Sequence, residues 1–162
     1  MTRHFDVISI GETTLDAFMT LHDVKHNCRY DTQEGMICFK HGSKIDVDRY
    51  DFSMGGNATN VAVGLSRLGL KVTLFSEIGD DEFSLKIRNS LARENIDRMH
   101  VIQSNGASSF SVIFNFKGDR TIFVEDVERK HEYRFAELSA RLMYLTSMGK
   151  DKSVVSMTEF LE

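Results

Sequence analysis

The residues best suited to chemistry are two glycines and two amides, Gly55-Gly56-Asn57 with Asn60 three positions on. Paired glycines tolerate positive φ and let a ligand approach the backbone closely. A helix opening at this point presents free N–H groups to polar or anionic atoms. Asn57 and Asn60 then lie on one side of the first turn. An amide both donates and accepts, which suits a ligand rich in hydroxyls. The same residues also make an ordinary glycine turn in which Asn57 caps a helix, and spacing alone does not choose between the two. Asp16, in Gly11-Glu-Thr-Thr-Leu-Asp16, follows the first apolar run. A carboxylate just beyond a parallel strand lies where α/β proteins bind ligands, although a solvated loop acid reads the same way.

Other constellations are weaker. His22, His26, Cys28, Cys38 and His41 include good zinc-ligand types, but nine residues separate the cysteines and the tight pairs of structural zinc sites are missing. Asp80, Asp81 and Glu82 suit the start of a helix, and Asp46 and Asp48 suit a solvated face. No metal site is expected. Neither G-x-x-x-x-G-K-[ST] nor a G-x-G-x-x-G after the first strand occurs. Gly149-Lys-Asp-Lys-Ser153 only approximates a phosphate loop.

These residues need a scaffold. Asp6 to Ile10 reads as a buried strand ending at Gly11. Residues 17–33 are weakly patterned. Residues 35–39 and 45–52 read as two short strands joined by a turn at 40–43. Ala58, Val61, Ala62, Leu65 and Leu68 recur with helical period, with Gly69 placed to end the helix. Residues 71–75 read as a strand, and Phe83, Ile87 and Leu91 share a face of a second helix. Strand, helix, strand, helix is the form of a parallel α/β sheet. Residues 110–116 and 121–124 flank Lys-Gly-Asp-Arg as a β-hairpin. Residues 125–134 carry seven formal charges and read as solvated. Residues 135–142 read as helix, 142–146 as a third parallel strand, and 153–161 as a last short helix.

Composition limits the classes. The chain has 162 residues, of which 41% are hydrophobic, a length that suits a single domain with one core. Twenty basic against 24 acidic residues give a net charge of −4, which argues against nucleic acid as the main partner. No run approaches the roughly 20 apolar residues of a membrane span. The N-terminus lacks the apolar core of a signal peptide. The two cysteines are expected as reduced thiols, and the protein is expected in the cytoplasm. Proline is absent, for which we have no functional account.

Taken in order, DVISIGETTLD at 6–16, GGNATNVAVGLSRLG at 55–69, TLFSEIGDDEFS at 73–84, LARENID at 91–97, SSFSVIFNFKGDRTI at 108–122 and LMYLTSMGKD at 142–151 resemble the N-terminal half of a ribokinase-like (PfkB) carbohydrate kinase. The resemblance covers most of residues 5–151. It implies an α/β fold: a mainly parallel sheet with flanking helices, in a single partial domain over 1–162, plus a small β-sheet lid within about 36–52 and 108–124. It further implies that Asp16, Gly55, Gly56, Asn57 and Asn60 hold the hydroxyls of a sugar or nucleoside. Phe110 and Phe123, within the expected lid strands, are then expected as an apolar roof, an inference of ours and not a family motif.

ATP and Mg are implied for a complete family enzyme. In that family a Gly-Ala-Gly-Asp segment supplies base and anion hole, and an Asn-x-x-Glu segment helps to place magnesium. Neither string occurs in these residues, and 125–134 is charged where relatives often carry Gly-Ala. No catalytic residue is therefore assigned within the chain, and neither ATP nor Mg is expected to bind it tightly. The chain is expected to be inactive alone and to self-associate through the lid or an exposed sheet edge. A non-catalytic sugar-binding or self-associating module is the alternative.

Overall fold

A computed structural model describes residues 3–23, 27–125, 127–130, 133 and 138–148. In chain order the elements are β1 (Arg3–Ile10), β2 (Thr14–Leu21), β3 (Cys28–Asp31), β4 (Met36–Phe39), β5 (Arg49–Gly55), α1 (Asn57–Arg67), β6 (Val72–Ile78), α2 (Glu82–Arg93), β7 (Val101–Gln103), β8 (Phe110–Phe116), β9 (Asp119–Glu125) and β10 (Leu138–Leu145). They fall into two compact units. One takes the chain up to Leu15, Met54–Phe110 and the described residues from Glu125 on, and the other takes Asp16–Ser53 and Ser111–Val124.

The first unit is an α/β layer. Its sheet has the order β10-β1-β6-β7, and each neighbouring pair is parallel. Val7 sits between Val72 and Leu142, and Ile10 between Phe75 and Leu145. All seven residues of β6 are buried, as expected for a parallel strand covered on both faces. The main core joins Val7, Leu74 and Ile78 to Ala58 and Ala62 of α1 and to Ile87 and Leu91 of α2. Small residues at the buried face of α1 bring its backbone near the sheet. Leu68, expected on that face, is 79% exposed because the helix ends at Arg67. Gly69, at φ 86°, closes α1 as expected: its N–H bonds the Ser66 carbonyl and the Leu70 N–H bonds that of Leu65.

The second unit is built of strands. Its larger sheet has the order β5-β2-β8-β9, and β3 and β4 form an antiparallel ribbon. Cys28, Tyr30 and Ile37 on one face of the ribbon pack with Leu21, Phe114 and Phe116. Strands β4, β5, β8 and β9 fall largely within residues 36–52 and 108–124, and β2 and β3 of the same unit precede residue 36.

Several expectations need correction. The weakly patterned 17–33 contains most of β2 and all of β3. The β2 residues are mostly half-buried on both faces, so no period of two marks the strand. The 40–43 turn does not join neighbours: β4 pairs with β3, and β5 with β2. Residues 138–142 are strand rather than helix. Their Leu, Ala, Arg and Met content favours helix locally, but parallel pairing with β1 over Arg3–Ile10 overrides it. Arg129 is buried rather than solvated, donating to the Ser104 hydroxyl at 2.6 Å and to the Ala107 carbonyl. The helix expected at 153–161, the 149–153 stretch and His26 lie outside the described residues.

Candidate functional site

In the first unit, β1 leads through α1 to β6 on one side, while β10 returns to the other. The carboxyl ends of β1 and β10 therefore flank a topological switch point, where open α/β sheets bind ligands. The loop after β1, the start of α1 and the segment after β10 converge there. The Glu12 N–H donates to the Ser147 carbonyl at 3.0 Å, and the Thr146 N–H donates to the Ile10 carbonyl at 3.0 Å. The Asn57 amide donates to the Ser147 hydroxyl at 3.3 Å. The Ser9 hydroxyl donates to the Ala58 carbonyl at 2.8 Å, fixing β1 against α1 from below.

The glycines serve this convergence. Gly56 has φ 91°, and a Cβ there would overlap the Glu12 carbonyl. Gly11 has φ 148°, and its Cβ would meet Ser147 and Thr146 at 2.8 Å. Both positions need glycine for conformation and for space. The cap of α1 is consequently Gly56, with no side-chain cap, and Asn57 is the first helical residue rather than the cap. Its amide is turned instead toward Ser147. Asn57 and Asn60 are both exposed, whereas Gly55 is buried.

Nearby groups set the local charge. Burial pushes the Tyr133 phenol well above its usual range, and Glu77 and Glu12 add to this while Arg129 opposes it. The phenol is thus a neutral donor in an acidic neighbourhood. At the start of α2, burial alone would raise the Asp81 carboxyl, but hydrogen bonds from Ser108 and Ser84 outweigh it and hold the group below its ordinary value. Asp81 caps α2 through the Ser84 N–H at 3.1 Å, which is the structural role its sequence position suggested.

The other expected residues are placed as follows. Asp16 is half-buried on β2, in the second unit, so it is a strand residue and not a loop acid. Phe110, in the first unit, stacks on Phe83 with ring centroids 5.2 Å apart and packs against the main core. Phe123 is 58% exposed on β9. Sequence reasoning missed Glu12, Thr13, Ser147 and Tyr133. A signal for Glu12 was its position just past Gly11 at the end of β1, whereas Ser147 has none in the local sequence.

The gathered donors fit hydroxyls better than a divalent ion. They are the Asn57 amide, the Ser147 hydroxyl and backbone groups, and magnesium prefers several oxygen anions. Among the described residues no group of three or more His, Cys, Asp or Glu side chains is placed to hold a metal. The Asn57, Ser147 and backbone groups described at this site therefore match hydroxyls rather than magnesium. Among the described residues no helix is long and apolar enough to cross a membrane.

Comparison with known proteins places this geometry in a family. The 5-dehydro-2-deoxygluconokinase of Mesomycoplasma hyopneumoniae is 35% identical over 101 residues, covering 62% of this chain and 25% of that protein. The ribokinase of Haemophilus influenzae is 30% identical over 118 residues, covering 65% of this chain and 38% of the relative. The chain thus spans well under half the length of these curated relatives. The nucleoside kinase of Methanocaldococcus jannaschii, an archaeal member of the ribokinase family, shares the fold with a TM-score of 0.65. That likeness is at 16% identity and covers 95% of this chain and 48% of that structure. The sequence pattern of the pfkB family carbohydrate kinases matches residues 7–153. With the parallel sheet and the Gly55–Asn60 segment at its switch point, this match establishes that the chain belongs to the pfkB family of carbohydrate kinases.

Proposed function

We propose that these residues form the substrate-binding part of an ATP-dependent carbohydrate kinase, which transfers the γ-phosphoryl group to a sugar or nucleoside hydroxyl. The observation that carries the reading is the convergence of Gly11–Thr13, Gly56-Asn57 and Ser147 at the switch point between β1 and β10. The family resemblance makes Gly55, Gly56, Asn57, Asn60 and Asp16 the hydroxyl partners and the strand-rich unit the lid, with Phe123 as an apolar residue of that lid. Phosphoryl transfer needs a base and concentrated positive charge at the γ-phosphate. The expected outcome for the 162-residue chain alone is no transfer, a reading supported by the lack of Gly-Ala-Gly-Asp and Asn-x-x-Glu strings in these residues. The protein is cytoplasmic and its ligand is a small molecule.

A second reading rests on β10. Among the described residues β10 is an edge strand that leaves Leu142, Met143, Tyr144 and Leu145 between 38% and 67% exposed, on both faces. Parallel strands are normally covered on both faces, and an open apolar edge favours pairing with another strand. A self-associating, sugar-binding module would use that edge, making a dimer or higher oligomer.

Titration calorimetry with ribose, fructose and adenosine, alongside an ADP-release assay, tests both readings. Binding of one of them that is lost in Asn57→Ala and in Asp16→Asn, without ADP release, supports the proposal. ADP release by the purified chain overturns its inactivity. Binding that is indifferent to both substitutions overturns the site. Light scattering that finds only monomer overturns the second reading.

A further inference from the structure

A second candidate binding site lies wholly within the strand-rich unit, and none of the residues assigned above lines it. A pocket of about 220 Å³ opens where the end of the β3–β4 ribbon meets the turn between β8 and β9. Its apolar wall is Tyr30, Phe114 and Phe116, and its polar rim includes Lys117, Asp119 and Arg120. Tyr30 and Phe116 are fixed edge to face at 5.1 Å, so the wall is preformed.

Lys117 is the unusual residue. It occupies the first position of a two-residue turn at φ 50°, followed by Gly118 at φ 84°. Such turns ordinarily take asparagine, aspartate or glycine at that position, because a longer L side chain is strained there. Strain held at one residue is a reason to look for a use. Here the left-handed backbone brings the Lys117 ammonium over the Tyr30 ring at 5.2 Å and the Phe116 ring at 5.5 Å, at the edge of the pocket. Among the described residues neither Lys117 nor Arg120 forms an ion pair. The Asp119 carboxylate is turned to the Arg120 backbone N–H at 2.8 Å. The rim therefore carries two cations against one carboxylate already engaged with the turn.

We infer that this pocket binds a small organic anion with a flat apolar body, the ring lying on the Tyr30–Phe116 wall and the anionic group meeting Lys117 and Arg120. The volume is below the usual range for drug-sized ligands, so the ligand is of metabolite size. A phosphate ester and a carboxylate share this chemistry, and the two are separated by the probes.

The test uses the 162-residue chain, phenyl phosphate and benzoate as probes, and inorganic phosphate and benzyl alcohol as controls. Amide NMR shifts are followed on titration to about 10 mM, a range that captures millimolar affinity. Either aromatic anion should shift Tyr30, Phe116, Lys117 and Arg120 amides, and the controls should bind more weakly. Lys117→Gly removes the ammonium and suits the turn backbone, so it should fold at least as well. It should weaken binding about tenfold, the scale of one charged contact. Arg120→Gln should weaken it similarly. Absence of binding by both aromatic anions, shifts mapping elsewhere, or unchanged affinity in Lys117→Gly at equal thermal stability would each overturn the inference.

Discussion

The Thr13 and Thr59 hydroxyls lie 2.7 Å apart, both buried, and join the loop after β1 to the first turn of α1. This bond holds the Gly11–Thr13 loop against the helix start that carries Asn57. Replacing one partner strands the other in an apolar setting, whereas replacing both removes the demand. Thr59→Val alone should therefore cost about 1–3 kcal/mol, and Thr13→Val with Thr59→Val together should cost much less than the sum. Urea unfolding of the two single variants and the double variant gives the coupling energy. Additive losses would mean that the pair contributes nothing jointly.

Two glycines in the first unit should respond in opposite directions to alanine. Gly64 is exposed in the middle of α1, and a Cβ there meets nothing within 4 Å. Gly64→Ala should stabilise by about 0.5–1 kcal/mol, because glycine loses more backbone entropy in a helix. At Gly79 a Cβ would collide with backbone atoms of Gly106, Ala107 and Ser108. Gly79→Ala should destabilise by about 1–3 kcal/mol, the range of an overpacked site that must shift its backbone. Thermal melts of the two variants check the signs.

The contrast between α1 and β10 marks what could be read before the structure. In α1, periodic apolar residues, a glycine pair in front and Gly69 behind all point the same way, and the element forms over Asn57–Arg67. In β10, local composition favours helix and only pairing with β1 makes a strand, so the determining interaction is more than a hundred residues distant. For the site, Gly56 and Asn57 were legible because glycines and amides before a helix are a local signal. Ser147 was not, since its meeting with Asn57 depends on β10 returning beside β1. The cap was misread for a related reason. Gly56 at φ 91° takes the cap position itself, so Asn57 is the first helical residue, and the close approach of the Glu12 carbonyl to Gly56 is a contact that no local rule carries.

The two cysteines should stay free. In the β3–β4 ribbon Cys28 lies opposite Phe39, and Arg29 lies opposite Cys38. Directly opposed residues share a face and neighbours alternate, so Cys28 and Cys38 project to opposite faces and cannot bridge without backbone movement. Burial pushes the Cys28 thiol up, with Cys38 adding to this, so little thiolate is present at neutral pH. Intact mass after air oxidation should show no loss of two hydrogens, and a thiol reagent at neutral pH should label Cys38 before Cys28. Rapid formation of an intramolecular disulfide would contradict the register.

Acid should weaken the first unit in two separate windows. His100 stacks on Phe75 with centroids 4.3 Å apart, and its buried Nε2 has no hydrogen-bond partner among the described residues. Burial pulls its pKa below the ordinary 6.5, with Asp97 opposing this and Arg3 adding to it. The unfolded chain then binds a proton that the folded one resists, so stability falls as pH drops through the unfolded value. Asp81 acts lower on the scale. Its carboxyl is held below its ordinary 3.8 when folded, so its contribution is complete above that value and is lost as pH falls through the depressed one. Denaturation midpoints from about pH 7 to about pH 5 should decline in the wild type and stay nearly level in His100→Phe, which keeps the stack without a titrating group. Asp81→Asn should leave that upper decline unchanged and alter only the limb below about pH 4. An upper decline that persists in His100→Phe would assign the first window to another group.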